Sequence, residues 1–271
     1  MTVLALTGIL TAAILYHLGT RTLEGGRSRR ERPWRAQSFY AGLAALAVAI
    51  APPLDGLADR LFWWHMVQHM LLQMVAPPLS VLGAPWLALW RPLSLGGRRR
   101  AARWLLLSGA ASPLRALARV LTRPVVAWVL FVGAIWLSHL PAVFDYAAGH
   151  ALFHEAEHLA FFSLGLLFWS RALDSPPFHA RVTRWHRLAF FVTAAAAETV
   201  LAVIVLAART PLYTAYEGVG PRPEHLTVLA DQQLGGAIML EPASIPLLFA
   251  ILWSIGTLVA PRSRRPRESA A

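Results

Sequence analysis

The chain has 271 residues, of which 56% are hydrophobic and only 14% are charged, with a formal net charge of +11. Because a soluble domain carries about a quarter charged residues, this composition excludes a soluble globular protein and predicts a polytopic membrane protein. There is no cysteine, which excludes disulfides and thiolate metal sites.

Seven apolar stretches are long enough to cross a bilayer, which takes about 20 residues for a helix. In chain order they lie near residues 2–18, 36–53, 61–82, 124–140, 150–170, 187–208 and 232–259. The sequence therefore predicts an all-α fold: one domain over residues 1–261, built as a bundle of seven transmembrane helices, and a basic cytoplasmic tail at 262–271. Pro77 and Pro78 should kink or end the third helix, because proline lacks a backbone N–H.

The basic residues predict the orientation of this bundle. All 25 are arginines, and 22 of them fall in alternate connections and the tail. Since positive residues stay on the cytoplasmic side, we expect the N-terminus outside, the C-terminus inside, and a location in the plasma membrane. The arginines follow the topology rather than form a patch, so the expected partner is the lipid bilayer and not nucleic acid. The 91–123 connection contains a basic amphipathic segment that fits either the inner leaflet surface or a plain positive-inside loop.

Histidines are the candidate functional residues. The third predicted helix carries His65 and His69, and the fifth carries His154 and His158. Residues four apart share one face of a helix, and all four lie near the predicted outer side, with His139 at the outer end of the fourth helix. Ionisable groups in hydrocarbon normally face the bundle interior and mark a site. Because imidazole suits copper, zinc and iron, these five histidines are the predicted metal ligands.

Other residues on these helices are weaker candidates. The secondary set at the predicted outer ends is His150, Glu157, Asp231 and Gln232. For every candidate the competing interpretation is a structural hydrogen bond between helices, worth about 0.6–2 kcal/mol. Met66, Met70 and Met74 lie on a different face from His65, so we expect them to be packing residues.

Two other functional classes are alternatives to a protein that binds a metal in order to deliver it. The first is a haem b protein in which a histidine of the third helix faces one of the fifth. The second is a metal or proton transporter that uses Glu198 and Glu241 as steps near the membrane centre. A purely structural scaffold is a third interpretation. No nucleophile–base pair or phosphate-binding loop is present, so we do not expect an enzyme.

The histidine segments carry a family resemblance. HMVQHMLLQMVAPPLSVLGAPW resembles the signature of the CtaG-type cytochrome c oxidase assembly factors, and WLSHLPAVFDYA, HALFHEAEHLAFFSLGLLFW and DQQLGGAIM match further segments in order. The resemblance implies a seven-helix protein that helps to mature a haem–copper oxidase, with the oxidase subunits as partners. It implies copper, as Cu(I), as the bound metal. By motif position the histidine pair of the third helix, the later histidines, and Asp231 with Gln232 match the family pattern.

Overall fold

The computed structural model describes residues 2–24, 33–178, 180, 182–219, 222–223 and 226–259. Within these residues the chain is helical, with one isolated β-bridge between Ser175 and Phe178. The predicted all-α class is therefore confirmed. The predicted tail at 262–271 lies outside the described residues.

Fourteen α-helices can be followed through the described residues. The first seven are α1 (Thr2–Glu24), α2 (Pro33–Ile50), α3 (Leu54–Ala58), α4 (Phe62–Met70), α5 (Ala76–Leu82), α6 (Pro85–Trp90) and α7 (Leu95–Leu107). The others are α8 (Ser112–Leu121), α9 (Pro124–Ser138), α10 (Pro141–Gly149), α11 (Ala151–Ala172), α12 (Arg184–Leu206), α13 (Val228–Leu240) and α14 (Ile245–Val259). A π-helical turn at Leu71–Val75 joins α4 to α5, and a 3₁₀ turn at Pro242–Ser244 joins α13 to α14.

All seven predicted spans are helical. Three helical segments of the described chain are by themselves long and apolar enough to cross a membrane: Thr2–Arg21, Arg184–Leu206 and Val228–Val259. Gly109–Leu121 and Pro124–Ser138 form a fourth candidate, although the two parts are bent by 77°. The protein thus has the apolar helices of a membrane protein, while the count of seven crossings and the orientation stay predictions.

The third predicted span is broken, for a reason visible in its sequence. The amide of Ala76 donates to the Leu71 carbonyl, which is the longer bond of a π turn. The Gln73 carbonyl would next accept from residue 77 or 78, but both are prolines and have no N–H. The indole Nε1 of Trp169 donates to that carbonyl instead, at 3.1 Å. The prolines therefore convert a backbone acceptor into a contact between the third span and α11.

The broken span lies at the centre of the bundle. The π turn and α5 pack against α11 on one side and α2 on the other, while α4 packs against α13. The main apolar core lies beyond the π turn, where the ring of Phe168 stacks between those of Phe131 (4.2 Å between centroids) and Phe190 (4.5 Å). This aromatic core closes one end of the bundle, and the histidine-bearing parts of α4 and α11 lie at the other.

The 91–123 connection forms the helices α7 and α8. Neither buries a side chain, and α8 exposes Leu114, Leu117 and Val120 at helical spacing. These three apolar residues and the arginines between them give α8 an apolar and a basic face. That pattern is typical of a helix that lies on an anionic membrane surface.

Candidate metal centre

Two helices bring four imidazoles together. His65 and His69 lie one turn apart on α4, with 4.1 Å between their ring centroids, and His154 and His158 lie one turn apart on α11, at 4.2 Å. Across the helices the His65 and His154 rings are 5.1 Å apart, and those of His69 and His158 are 5.6 Å apart. The histidine pair of α4 and the histidine pair of α11 thus face each other in the fold.

Three of these residues form the tightest group. One ring nitrogen from each of His65, His69 and His154 can be chosen so that all three lie within 4.8 Å of one another. A trigonal site with metal–nitrogen bonds of about 2.0–2.1 Å needs nitrogens about 3.5 Å apart. Small rotations of the imidazole rings would close this difference without moving the helices.

Several ring nitrogens of the four histidines have no hydrogen-bond partner among the described residues. Among the described residues, the Nε2 atoms of His65, His154 and His158 are buried without a hydrogen-bond partner, and so are both ring nitrogens of His69. Buried polar groups normally find partners, and leaving one unpaired in an apolar interior costs about 1–3 kcal/mol. Neutral imidazoles this close together fit a metal ion, since each ring has one nitrogen whose lone pair is available for a ligand bond.

Acidic residues lie beside the exposed edge of this cluster. Asp55, Asp59 and Glu155 are close enough to His154 to interact with it electrostatically. Partial desolvation, and secondly the neighbouring Asp55 carboxylate, raise the pKa of Asp59 above its usual value. His154 is the least buried of the three grouped histidines. The cluster is therefore reached from an acidic side that would attract a cation.

Aromatic rings cover the other approach. Phe62, Phe144, Tyr213 and Tyr216 are all buried and pack on one another, and Phe144 reaches within 5.2 Å of the His65 ring centroid. The hydroxyl of Tyr213 donates to the His139 carbonyl at 3.2 Å, and that of Tyr216 donates to the Ala58 carbonyl at 3.0 Å. These bonds fix the 3₁₀ turn at Thr214–Tyr216 beside the cluster.

Two secondary candidates hold helices in place. The fully buried Asp231 accepts hydrogen bonds from the backbone N–H groups of Phe62 and Trp63, both at 3.0 Å, and pairs with Arg222 at 3.4 Å. The amide of Gln232 accepts from the Leu212 N–H and donates to the Val205 carbonyl. Asp231 thus caps the first turn of α4, which begins three residues before His65, and contacts no imidazole in these bonds.

The remaining candidates lie apart from the group of three. His150 is exposed; its Nδ1 donates to the Tyr146 carbonyl at 2.8 Å. Glu157 is partly buried on α11 and does not belong to the group. His139 follows α9 and is buried; its Nδ1 lies 2.7 Å from the Ile135 carbonyl. A carbonyl can only accept, so the proton is on Nδ1 and Nε2 keeps its lone pair, as in many metal-bound histidines.

Several residues that shape this site were missed from the sequence. Asp145 accepts hydrogen bonds from Thr214 and Ala215 and so fastens the aromatic cover to α10. Arg222 pairs with the cap of α4. For Asp145 and Arg222 alike, the only signal in the sequence is that a charged residue lies in a predicted outer connection, where few arginines occur.

The comparisons with known proteins place the chain in a family. Residues 14–260 match the family described as cytochrome c oxidase caa3 assembly factor (Caa3_CtaG), and the chain belongs to it. Uncharacterized proteins Mb0105 of Mycobacterium bovis and MT0111 of Mycobacterium tuberculosis are each 25% identical over 252 residues, which is 90% of this chain and 36% of theirs. Uncharacterized protein ML1998 of Mycobacterium leprae is 23% identical over 224 residues, 80% of this chain and 33% of its own.

The chain thus spans about a third of the length of these relatives. No solved structure matches it significantly. The resemblance read from the histidine segments is confirmed by the family match.

Proposed function

We propose that this member of the oxidase assembly family binds copper, as Cu(I), through its outer histidine cluster and delivers it to a haem–copper oxidase in the plasma membrane. The observation that carries the proposal is the convergence of ligand atoms of His65, His69 and His154 within 4.8 Å. His158, whose ring adjoins His154, would be an additional ligand for exchange. Copper is here the cargo, and the imidazoles are the groups that hold it.

The chemistry of the donors suits delivery. Neutral imidazoles without thiolates bind Cu(I) well enough to capture it and leave it exchangeable. Asp55 and Asp59 lie near the least buried ligand, His154, where an ion would arrive or depart. The oxidase would receive the ion on that side.

The interior favours delivery over transport. Apart from Glu198 and the polar side chains nearest the histidines, the described interior beyond the cluster consists mainly of the apolar core around Phe131, Phe168 and Phe190. Glu198 is buried, whereas Glu241 is exposed, so the two carboxylates do not form one internal path. A transporter would need polar groups that continue toward the other end of the bundle.

The packing also favours an ion over haem b. The His65 and His154 rings lie 5.1 Å apart and nearly parallel, at 19°, with Phe144 and Phe161 beside the histidines. A porphyrin ligated by two histidines would have to fit between the His65 and His154 rings, where the neighbouring aromatic rings leave it little room. Absorption spectra of the purified protein separate the two: haem gives a Soret band, and bound Cu(I) does not.

Metal analysis of protein purified without a histidine tag tests the proposal directly. His154→Ala should remove most of the copper from the cluster, because it deletes one of three converging ligands. His150→Ala is the matched control, since it removes an exposed histidine from the start of the same helix. Equal copper loss in both variants, or none in either, would overturn the assignment.

The oxidase provides the second test. A host that lacks this protein should assemble oxidase polypeptide and haem with little copper, and added external copper should partly restore activity. Oxidase with its full copper content from that host would contradict the delivery role.

A further inference from the structure

A second, smaller site lies next to the histidine cluster. A cavity of about 40 Å³ is lined by residues of α4, the π turn, α9, α12 and the α13–α14 junction. Its lining includes Met66, Met70, Met74 and Met239. The chain has five methionines, and these are all of them except Met1.

The same cavity is lined by polar side chains that lack partners. His69, His139 and Glu198 all border it and are all buried. The His139 Nε2, both nitrogens of His69 and the Glu198 Oε1 have no hydrogen-bond partner in the described structure. A cavity needs only about 10–15 Å³ to hold one water-sized occupant, so this one has room for an ion.

Packing alone does not account for this arrangement. Methionine is a common filler of irregular gaps, but here four methionines line a gap that they do not fill. Leucine is abundant elsewhere in the chain and would line an inert cavity equally well. Thioether sulfurs are soft donors that select Cu(I), and imidazole nitrogens also suit copper.

We infer that this cavity is a second Cu(I) site, with methionine thioethers and His139 as ligands. His69, a neutral imidazole with one free lone pair, would bind copper in the outer cluster or in the cavity, not in both at once, and would pass the ion between them. The site extends the proposed function, because copper would enter it from the histidine cluster through His69. Glu198 would offset the ion's charge in a region of low dielectric. Copper held here is further from the acidic edge, so this site stores the ion and the outer cluster exchanges it.

The helical wheel explains why the sequence hides this site. It correctly places the methionines away from His65, which does not line the cavity. Gln73 and Met74 of the π turn line the same cavity as His69, and Met239 joins them from α13. A wheel drawn for one helix does not contain the contribution of α13.

The experiment uses selenomethionine-labelled full-length protein, loaded with Cu(I) against a competing Cu(I) chelator and measured by selenium-edge X-ray absorption. Wild type should show copper–selenium scattering and a second equivalent of bound copper. Met70→Leu combined with Met239→Leu should lose that equivalent and keep the first. Leucine–methionine swaps nearly conserve volume and usually cost less than about 1.5 kcal/mol, so the fold should survive.

His154→Ala is the reciprocal variant and should lose the outer copper while the copper–selenium signal persists. Wild-type protein that binds Cu(I) without copper–selenium scattering would overturn the second site and leave the histidine cluster standing. Conversely, copper–selenium scattering together with unchanged copper content in His154→Ala would support the second site and remove the outer one. Absence of Cu(I) from wild type would overturn both.

Discussion

Replacing Asp231 by asparagine should destabilise the protein without removing its copper ligands. The carboxylate accepts two backbone hydrogen bonds at the start of α4 and pairs with Arg222. Asparagine keeps one acceptor oxygen, but it presents an NH₂ group to a second N–H donor and leaves the guanidinium without its charge partner. Hydrogen bonds to charged groups are worth about 1.5–3 kcal/mol, and an orphaned buried donor costs about 1–3 kcal/mol, so we expect a net loss of about 3 kcal/mol.

Thermal unfolding in detergent, followed by tryptophan fluorescence, measures this loss. At roughly 2–4 °C per kcal/mol for a chain of this size, Asp231→Asn should lower Tm by about 6–12 °C. Well below Tm the variant should still bind copper at wild-type stoichiometry. Asp145→Asn is the control. Asp145 caps the 3₁₀ turn at Thr214–Tyr216, which is more exposed than the start of α4, so we expect a loss of only about 1 kcal/mol. Loss of copper at an unchanged Tm would show that Asp231 is a ligand and refute the capping role.

Three further predictions concern topology, packing and metal. A reporter fused within residues 141–149 should be active only outside the cytoplasm, and one at the C-terminus only inside; a cytoplasmic signal from the first would reverse the orientation. Gly236→Ala would place a Cβ 2.6 Å from the backbone nitrogen of Leu206 and should cost about 1–3 kcal/mol. Gly133→Ala, in the interior of α9, meets no described atom within 4 Å and should keep or slightly raise Tm, because alanine favours a helix over glycine by up to about 1 kcal/mol. Removing bound copper with a Cu(I) chelator should lower Tm. If free copper was present at 100 times Kd before removal, the folded state should lose about 2.7 kcal/mol of stability. An unchanged Tm would argue against binding to the folded state.

The helices and the paired histidines follow from local sequence. Apolar length predicts each helix, and the four-residue spacing alone puts His65 with His69 and His154 with His158 on shared faces. That the two stripes meet is a consequence of burial, because both would otherwise expose imidazoles to lipid. These features depend on residues within a few turns of one another.

The roles of His139 and Asp231 depend on distant parts of the chain. Asp231 caps a helix that starts 169 residues earlier in the sequence, so its carboxylate resembled a ligand at the mouth of the site. His139 was grouped with the other histidines because of its depth. The structure puts it at the methionine cavity, a lateral position that no helical period encodes.

The break in the third span connects the two candidate sites. A regular helix over residues 61–82 would place the methionines on a different face from His65, while His69 would adjoin Met66. The prolines free the Gln73 carbonyl for Trp169, and the π turn before them changes the direction of the residues that follow. Gly165, which lies against the ring of Pro77 with no room for a Cβ, lets α11 approach this turn closely. The irregular backbone therefore holds α11, with His154 and His158, against α4 and keeps the methionine cavity open beside His69.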